Sequence, residues 1–301
     1  MFLANNDLQA AMWPTPAGLK SIFTESYLFL EAIVLISSGN HSRMNTIDFK
    51  IDAGIASIIF NRPEVFNSFN KEMAMDLQEA LDQCYSDTSV RCVVLRGTGK
   101  AFSAGQDLKE VTDPQGPPLT SIVRDHYNPI IERIRKLNKP VVAAVNGVAA
   151  GAGANIALAC DIVVACESAS FLQAFSKIGL IPDSGGTFFL PRLIGWQKAS
   201  ALMMLGEKIP AAEAEELGMI YKAIPDNEFD TEIEKITSKL STMATKGLAY
   251  TKIALNQSMH NNLSAQLSLE EQLQTKAGAT GDYKEGVAAF LEKRKPEFTG
   301  S

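Results

Sequence analysis

The chain of 301 residues has little cysteine, little histidine and no excess of basic charge. Its four cysteines form no C-x-x-C pair and its three histidines are scattered, which excludes the usual spacing of a zinc site and a disulfide-rich scaffold. A reducing cytoplasm is the expected location. The formal net charge of -6 argues against a protein that binds nucleic acid through a broad basic face.

Long hydrophobic runs are also lacking. The stretch "YLFLEAIVLISS" at 27–38 is interrupted by Glu31 and is shorter than the ~18–20 residues of a membrane span, so we expect no membrane partner. Only Lys20 precedes it as a cation, which disfavours a signal peptide. Regular patterning begins after Met44. Residues 1–43 are interpreted as an extension outside the native core, and an additional N-terminal element is the alternative.

Strand and helix patterns alternate after Met44. Two β-rich runs at 46–63 predict a hairpin that turns at Asp52-Ala53-Gly54 and ends at Pro63. Further apolar runs are typical of buried strands, and they alternate with segments whose apolar residues have helical spacing. Such alternation predicts an α/β fold with a mostly parallel sheet. The predicted strands are 92–97, 140–147 and 161–166, and the predicted helices are 69–84, 121–137 and about 151–159.

Two later segments have a different character. Residues 109–120 are rich in proline, glycine and charge, which predicts a surface loop that could act as a lid. From about residue 197 the pattern becomes helical to the end of the chain. This helical region could pack on its own core or on a neighbouring subunit.

Two glycine-rich stretches follow predicted strands, "AFSAGQDL" at 101–108 and "NGVAAGAGANIALACD" at 146–161. Small residues at these places let backbone N–H groups approach a ligand closely, and the second stretch opens a helix whose free N–H groups favour an anionic oxygen. Two such donors on one oxygen would form an oxyanion hole. Tight helix–sheet packing explains the same residues equally well.

One carboxylate, Asp183, lies in the apolar stretch "FSKIGLIPDSGGTFFLPR" at 175–192. An aspartate before a helix is commonly an N-cap. The alternative is a catalytic acid or base. Burial among neighbours such as Ile181 and Phe188 would raise its pKa, whereas the positive end of a helix would lower it.

Several motifs in order resemble the enoyl-CoA hydratase/isomerase (crotonase) superfamily over residues 46–301. They are "NRPEVFNSFN", "VVLRGTGKAFSAGQDL", "KPVVAAVNGVAAGAGANIALACDIVVA" and "FSKIGLIPDSGGTFFLPRLIG". Together with the ending "DYKEGVAAFLEKRKPEFTG", they are most similar to the subgroup of 1,2-epoxyphenylacetyl-CoA isomerases of phenylacetate catabolism. The resemblance implies a repeated ββα superhelix, with a core at 44–245 and a helical trimerisation region at 246–301. It also implies homotrimers or hexamers, an acyl-CoA thioester substrate and no cofactor, since CoA belongs to the substrate.

The resemblance also implies roles for individual residues. The backbone N–H groups of Ala104 and Ala152 would form the oxyanion hole, and Asp183 would be the acid/base, where isomerase members carry a carboxylate. Lys100 and Arg62 are candidate partners of the CoA phosphates. The basic cluster at 293–295 is another candidate, because the resemblance places it near the adenine end of CoA, within one chain or across a subunit boundary. A solvated helix face explains this cluster equally well. Other expected substrate-binding residues are Phe66, Ser68, Gln106, Asp107, Leu108, Asn155, Phe175, Lys295 and Phe298.

The sequence departs from the family's hydratases at two positions. Hydratases place two glutamates around the reacting carbons, whereas this chain has Asn155 and Phe175 at the matching positions. Neither side chain can serve as a general base. The expected activity is isomerisation of an acyl-CoA, from the ring epoxide to the oxepin or from a 3-enoyl to a 2-enoyl thioester. The alternatives are an enoyl-CoA hydratase and a catalytically silent scaffold with the same fold.

Overall fold

A hairpin opens the part of the chain that the structure, a computed structural model, describes, residues 44–301. Strands β1 (Ile47–Asp52) and β2 (Ile55–Phe60) pair antiparallel, as the sequence predicts. Ala53 and Gly54 form the turn with positive φ angles. The predicted extension, residues 1–43, lies outside the described residues.

The hairpin begins a six-stranded sheet. Strand β2 pairs in parallel with β3 (Cys92–Gly97), which is followed across the sheet by β5 (Val141–Val145), β7 (Ile162–Cys166) and β10 (Lys222–Ile224). Every side chain of β5 is buried, which is the pattern of a strand covered on both faces. The three predicted apolar strands are therefore confirmed as the centre of this sheet.

Four short strands form a second sheet. Its order is β4 (Ala101–Ser103), β6 (Val148–Ala150), β8 (Ser170–Leu172) and β9 (Lys208–Pro210). Strands β4, β6 and β8 each follow a strand of the first sheet and precede a helix, so the repeated ββα arrangement is confirmed. Strands of three residues are too short to show a periodic pattern, and the local sequence pattern therefore did not predict them.

The helices of the core agree with the predicted ones apart from the proposed lid. Helix α1 (Lys71–Ser86) begins at Asn70, whose side chain accepts a hydrogen bond from the Met73 N–H. The predicted loop at 109–120 is wrong at both ends, because α2 (Leu108–Thr112) and α3 (Leu119–Ser121) occupy them. A π-helical turn and further helices continue the core: Ile122–Tyr127, α4 (Asn128–Lys136), α5 (Ala152–Leu158), α6 (Gly186–Ile194) and α7 (Trp196–Leu205).

The C-terminal part of the described chain is mostly helical. Strands β9 and β10 interrupt the helical pattern that the sequence predicts from residue 197. No helix among residues 44–301 is long and apolar enough to cross a membrane. The remaining helices are α8 (Ala211–Glu216), α9 (Phe229–Thr242), α10 (Thr245–Ser258), α11 (Leu263–Gly278) and α12 (Gly281–Glu292).

A buried ion pair joins helix α10 to the core. The Lys252 ammonium lies 2.7 Å from the Asp161 carboxylate and donates to the carbonyl oxygen of Ile134, also at 2.7 Å. Asp161 in turn pairs with Arg135 and accepts the Val141 N–H. One lysine therefore links α10 to α4 and to the start of β7.

Replacement of Lys252 by methionine should destabilise the fold strongly. It would leave the Asp161 carboxylate short of a partner in a largely buried position, and breaking a buried pair in this way costs about 3 kcal/mol or more. The midpoint of urea unfolding should fall accordingly. The matched control is Lys246→Met at an exposed position of the same helix, which should change stability by no more than about 0.5 kcal/mol. Equal effects of the two substitutions would contradict the role of the pair.

Candidate active site

The ends of β4 and β6 meet at one edge of the second sheet. The two strands are parallel, so the residues after each strand emerge side by side. Gly105 has a φ of +87°, and a Cβ atom there would lie 2.8 Å from the Ala150 carbonyl oxygen and 3.3 Å from the Ala152 nitrogen. Only a glycine allows this approach, and it brings the two predicted oxyanion segments into contact.

The first turn of helix α5 packs against the end of β4. A Cβ atom at Gly153 would lie 2.5 Å from the Ser103 carbonyl oxygen. The Ser103 hydroxyl donates to the Asn67 carbonyl oxygen at 2.8 Å and accepts the Gly105 N–H at 3.1 Å. The packing interpretation of these small residues is therefore correct, and the same packing places backbone donors next to one another.

The N–H group of Ala104 is already used within the chain. It donates to the Phe66 carbonyl oxygen at 3.0 Å, so we correct its assignment to the oxyanion hole. Gln106 is the better candidate. The Gly105 carbonyl oxygen accepts the Phe69 N–H, and the Asp107 N–H donates to the Phe69 carbonyl oxygen. Because the Gly105 carbonyl and the Gln106 N–H lie on opposite sides of one trans peptide group, the Gln106 N–H faces away from Phe69.

Ala152 and Gln106 are therefore the two candidate donors. Ala152 is the first residue of α5, where an N–H group has no acceptor within the helix. Among the hydrogen bonds of residues 44–301, none uses the N–H of Gln106 or of Ala152. Both groups can donate to an oxygen of a ligand at this edge of the sheet.

Asp183 is not the N-cap of the helix that follows it. Helix α6 begins at Gly186, and its N-cap residue is Gly185, without any side-chain hydrogen bond. The Asp183 carbonyl oxygen accepts the Gly186 N–H at 2.8 Å, whereas its carboxylate accepts the Ser184 hydroxyl at 2.9 Å. The capping interpretation is therefore wrong, and the carboxylate is available for chemistry.

Burial has the largest effect on the pKa of Asp183. Desolvation raises the pKa of its carboxyl group above the ordinary value, although the Ser184 hydroxyl and the Asp183 backbone N–H oppose the rise. Ser184 itself is buried and has a φ of +50°, an uncommon conformation for a residue with a side chain. Local backbone strain thus accompanies a perturbed carboxylate, a combination that is typical of functional sites.

The Asn155 side chain holds the backbone of Asp183 and is not exposed to a ligand. Its side chain has 0% exposure, donates to the Asp183 carbonyl oxygen at 2.8 Å and accepts from the Gln173 amide at 2.8 Å. The expectation that it binds substrate is corrected for this reason. Phe175, which is nearly buried, lies beside the hole, because its ring is 3.8 Å from where a Cβ atom of Gly151 would be.

Two further charged residues have structural roles. The Asp107 carboxylate accepts the Lys109 N–H at the start of α2 and pairs with the Arg62 guanidinium at 2.9 Å. Arg62 also donates to the Ser68 carbonyl oxygen. The assignments of Asp107 to substrate and of Arg62 to a phosphate are therefore corrected, since both groups are largely buried and paired with each other.

The other predicted residues near the strand ends remain candidates. Phe66 and Leu108 are large apolar side chains that are 54% and 58% exposed. The Ser68 hydroxyl donates to the Val65 carbonyl oxygen at 2.6 Å, and Lys100 is exposed. Their contacts with a substrate stay predictions.

The C-terminal candidates lie elsewhere in this chain. The Phe298 carbonyl oxygen accepts from Arg91, which precedes β3 and so lies at the opposite end of that strand from the turn into β4. Arg294 pairs with Glu285 at 2.6 Å. Within one chain, Lys295 and Phe298 are therefore not brought to the site, and their contact with the CoA of a neighbouring subunit stays a prediction.

Sequence analysis missed one residue of the site, Tyr127. Its side chain is 1% exposed, and its hydroxyl donates to the Gln106 side-chain oxygen at 2.8 Å. The pKa of the hydroxyl is raised, first by burial and next by the charge of Asp183. A tyrosine in a helical pattern carries no local signal of such a role. Among residues 44–301, no cluster of histidine, cysteine or acidic side chains is arranged to hold a metal ion.

The raised pKa of Asp183 predicts how stability depends on pH. The folded protein binds more protons than the unfolded chain between the ordinary value of 3.8 and the raised value. The stabilising contribution of protonated Asp183 is therefore complete below the ordinary value and is lost as the pH rises through the raised one. Asp183→Asn, which cannot ionise, should be more stable than the wild type near neutral pH, and urea unfolding should show the difference shrinking toward about pH 4.

The matched control for this measurement is Asp48→Asn on strand β1, where the side chain is exposed. It should change stability by less than about 0.5 kcal/mol at either pH. A less stable Asp183→Asn variant at neutral pH would contradict the desolvation argument.

Comparison with known proteins assigns this arrangement to a family. The family model for enoyl-CoA hydratase/isomerase matches residues 50–301. The chain is 47% identical to the 1,2-epoxyphenylacetyl-CoA isomerase of Escherichia coli over 83% of this chain and 97% of that one. It is 37% identical to the 2,3-dehydroadipyl-CoA hydratase of the same organism, over 81% and 94% of the two chains.

A solved structure agrees with this assignment. The enoyl-CoA hydratase from Bacillus anthracis superimposes with a TM-score of 0.80 at 32% identity, over 85% of this chain and 100% of that one. The sequence comparison and this structural comparison therefore agree on the family. The chain belongs to the enoyl-CoA hydratase/isomerase family and has the crotonase fold, and it is an enzyme of that family.

Proposed function

We propose that this enzyme is an acyl-CoA isomerase that moves protons next to the thioester and does not add water. The observation that carries the proposal is the partly buried carboxylate of Asp183, whose backbone carbonyl accepts from Asn155 in the helix that begins at Ala152. Asn155 and Phe175 stand at the positions of the hydratase glutamates. Asn155 is wholly buried and Phe175 is apolar. At the two positions of the hydratase glutamates, this chain therefore offers no carboxylate to activate a water molecule.

The proposed reaction uses the two donors and the base in turn. The N–H groups of Ala152 and Gln106 donate to the thioester oxygen and stabilise the negative charge that develops there. The Asp183 carboxylate removes a proton from the α-carbon, and the electrons of that C–H bond pass into the enolate. The protonated Asp183 then returns the proton at the γ-carbon, so the double bond moves and no atom is gained or lost.

The raised pKa of Asp183 suits this exchange. A carboxylate that is too acidic takes up a proton poorly, and burial brings its proton affinity closer to that of a useful general base at neutral pH. The apolar ring of Phe175 at the hole also helps to keep water away from the enolate.

We propose the ring epoxide of phenylacetyl-CoA as the substrate, with the oxepin as the product. The support is the 47% identity to the E. coli protein named 1,2-epoxyphenylacetyl-CoA isomerase. In this reaction the enolate opens the epoxide and ring expansion follows, again without a change in composition. The proposal needs no cofactor other than the CoA of the substrate, and we place the reaction in the cytoplasm.

Loss of the Asp183 carboxylate should slow isomerisation strongly. With a 3-enoyl-CoA, the wild type should form the 2-enoyl isomer without a change in mass, and Asp183→Asn should be slower by about 100-fold to 10,000-fold. Mass spectrometry together with absorbance of the conjugated product measures both. Asp48→Asn on β1 is the matched control and should retain full activity.

The other outcomes separate the remaining hypotheses. Addition of water to a 2-enoyl-CoA that survives Asp183→Asn would replace this proposal by a hydratase. If the wild type turned over neither of these thioesters nor the epoxide, the chain would be a silent scaffold with the crotonase fold. Isomerisation at the wild-type rate by Asp183→Asn would overturn the role of Asp183.

We also propose that the chain assembles as a homotrimer or a hexamer of two trimers. Helices α11 and α12 expose large apolar side chains, among them Leu263, Tyr283, Phe290 and Leu291, and contiguous exposed apolar surface marks protein interfaces. Light scattering should give three or six times the mass of one chain. Phe290→Asp, at a position 83% exposed in one chain, should lower that mass, and a monomeric wild type would contradict the proposal.

A further inference from the structure

Tyr127 belongs to the most irregular helical segment of the core. It is the last residue of the π-helical turn Ile122–Tyr127 and, with its 1% exposure, one of the largest fully buried side chains. Its ring lies 6.0 Å from that of Phe69, centroid to centroid. Single π-helical turns frequently occur at functional sites, and here the turn sets the position of one hydroxyl group.

A chain of hydrogen bonds runs from this hydroxyl to the start of α1. The Tyr127 hydroxyl donates to Oε1 of Gln106 at 2.8 Å, and Nε2 of Gln106 donates to Glu110 at 2.9 Å. The second oxygen of Glu110 accepts the backbone N–H of Lys71 at 2.7 Å. The donor at one end and the acceptor at the other leave a single orientation for the Gln106 amide group.

The backbone of Gln106 is held from a second side. Its neighbours Gly105 and Asp107 exchange hydrogen bonds with Phe69, at 2.7 and 2.8 Å. Phe69 is also the residue whose ring contacts Tyr127. The hydrogen bonds of the Gln106 side chain and those of its backbone neighbours therefore involve two residues in contact, Tyr127 and Phe69. Together they restrain the peptide group whose N–H faces the site.

Such restraint matters for an oxyanion hole. A backbone donor stabilises the developing charge best when it does not have to reorient during the reaction. Tyr127 also lies within electrostatic range of Asp183, because the Asp183 charge acts on its hydroxyl. The buried Tyr127 hydroxyl thus contacts the side chain of Gln106 and lies within the electrostatic influence of Asp183.

We propose that Tyr127 is a positioning residue, which clamps Gln106 through its hydroxyl so that the Gln106 N–H is aimed at the thioester oxygen. The inference rests on the proposed function, because it concerns the same carbonyl group. Tyr127 itself does not touch the substrate and takes no proton from it.

The test is the variant Tyr127→Phe with a carbonyl-labelled probe. Phenylalanine keeps the ring packing on Phe69 and removes only the hydroxyl. The probe is phenylacetyl-CoA with carbon-13 in its thioester carbonyl, whose stretching frequency falls when backbone donors polarise the bond. We expect a clear fall on binding to the wild type and a smaller one on binding to Tyr127→Phe, while thermal unfolding stays nearly unchanged.

Kinetics and a second variant complete the design. In the isomerase assay, kcat of Tyr127→Phe should fall about 10-fold or more while KM changes little, because a weakened hole affects the transition state most. Glu110→Gln loosens the other end of the clamp and should reduce the carbonyl shift in the same direction. Tyr85→Phe removes a hydroxyl from a partly exposed side chain and is the matched control, with no change in shift or rate.

The outcomes distinguish the two proposals. A shift in Tyr127→Phe as large as in the wild type would overturn the positioning role and leave the proposed function intact. The absence of any shift in the wild type would overturn both. If Tyr127→Phe failed to fold, Glu110→Gln, which keeps Tyr127, would decide the question. A carbonyl shift in Glu110→Gln equal to that in the wild type would then show that Tyr127 has only a structural role.

Discussion

The close contact between the segment after β4 and the segment after β6 is the constraint on which the site depends. Gly105 and Gly153 allow the two backbones to approach until a Cβ atom would collide with a carbonyl oxygen. The contact brings two otherwise unused N–H groups, those of Gln106 and Ala152, to one edge of the second sheet. A larger residue at either glycine would separate the donors, so packing and catalysis place the same demand on these positions.

The proposed base, Asp183, is held by a second, polar contact. Asn155 and Gln173 form a buried chain of amides that ends on the carbonyl oxygen of Asp183. Where the family's hydratases have a glutamate, this chain has an amide that holds the backbone of the remaining acid. The Asp183 carboxylate accepts a hydrogen bond from the Ser184 hydroxyl, and desolvation by burial raises the pKa of Asp183. In the proposed mechanism, this change of residue type removes one base and helps to position the other.

The sequence was a good guide to the elements that have strong local patterns. The apolar strands around 92–97 and 161–166 and the helix predicted at 69–84 all form, because burial and helical spacing act over a few neighbouring residues. The strands of the second sheet were missed individually, since three residues show no period. Asp183 was found because a lone acid stands out in an apolar stretch, whereas Tyr127 resembles any buried aromatic side chain.

The sequence by itself determined the α/β class, the family and the residue types of the site, including the absence of the two hydratase glutamates. Only the tertiary structure decided which groups remain available for chemistry. It showed that Ala104 and the Arg62–Asp107 pair are used within the chain, and that Lys295 lies in a tail anchored at the far end of β3. The reason is that hydrogen-bond partners and burial depend on residues distant in sequence, which no local pattern encodes.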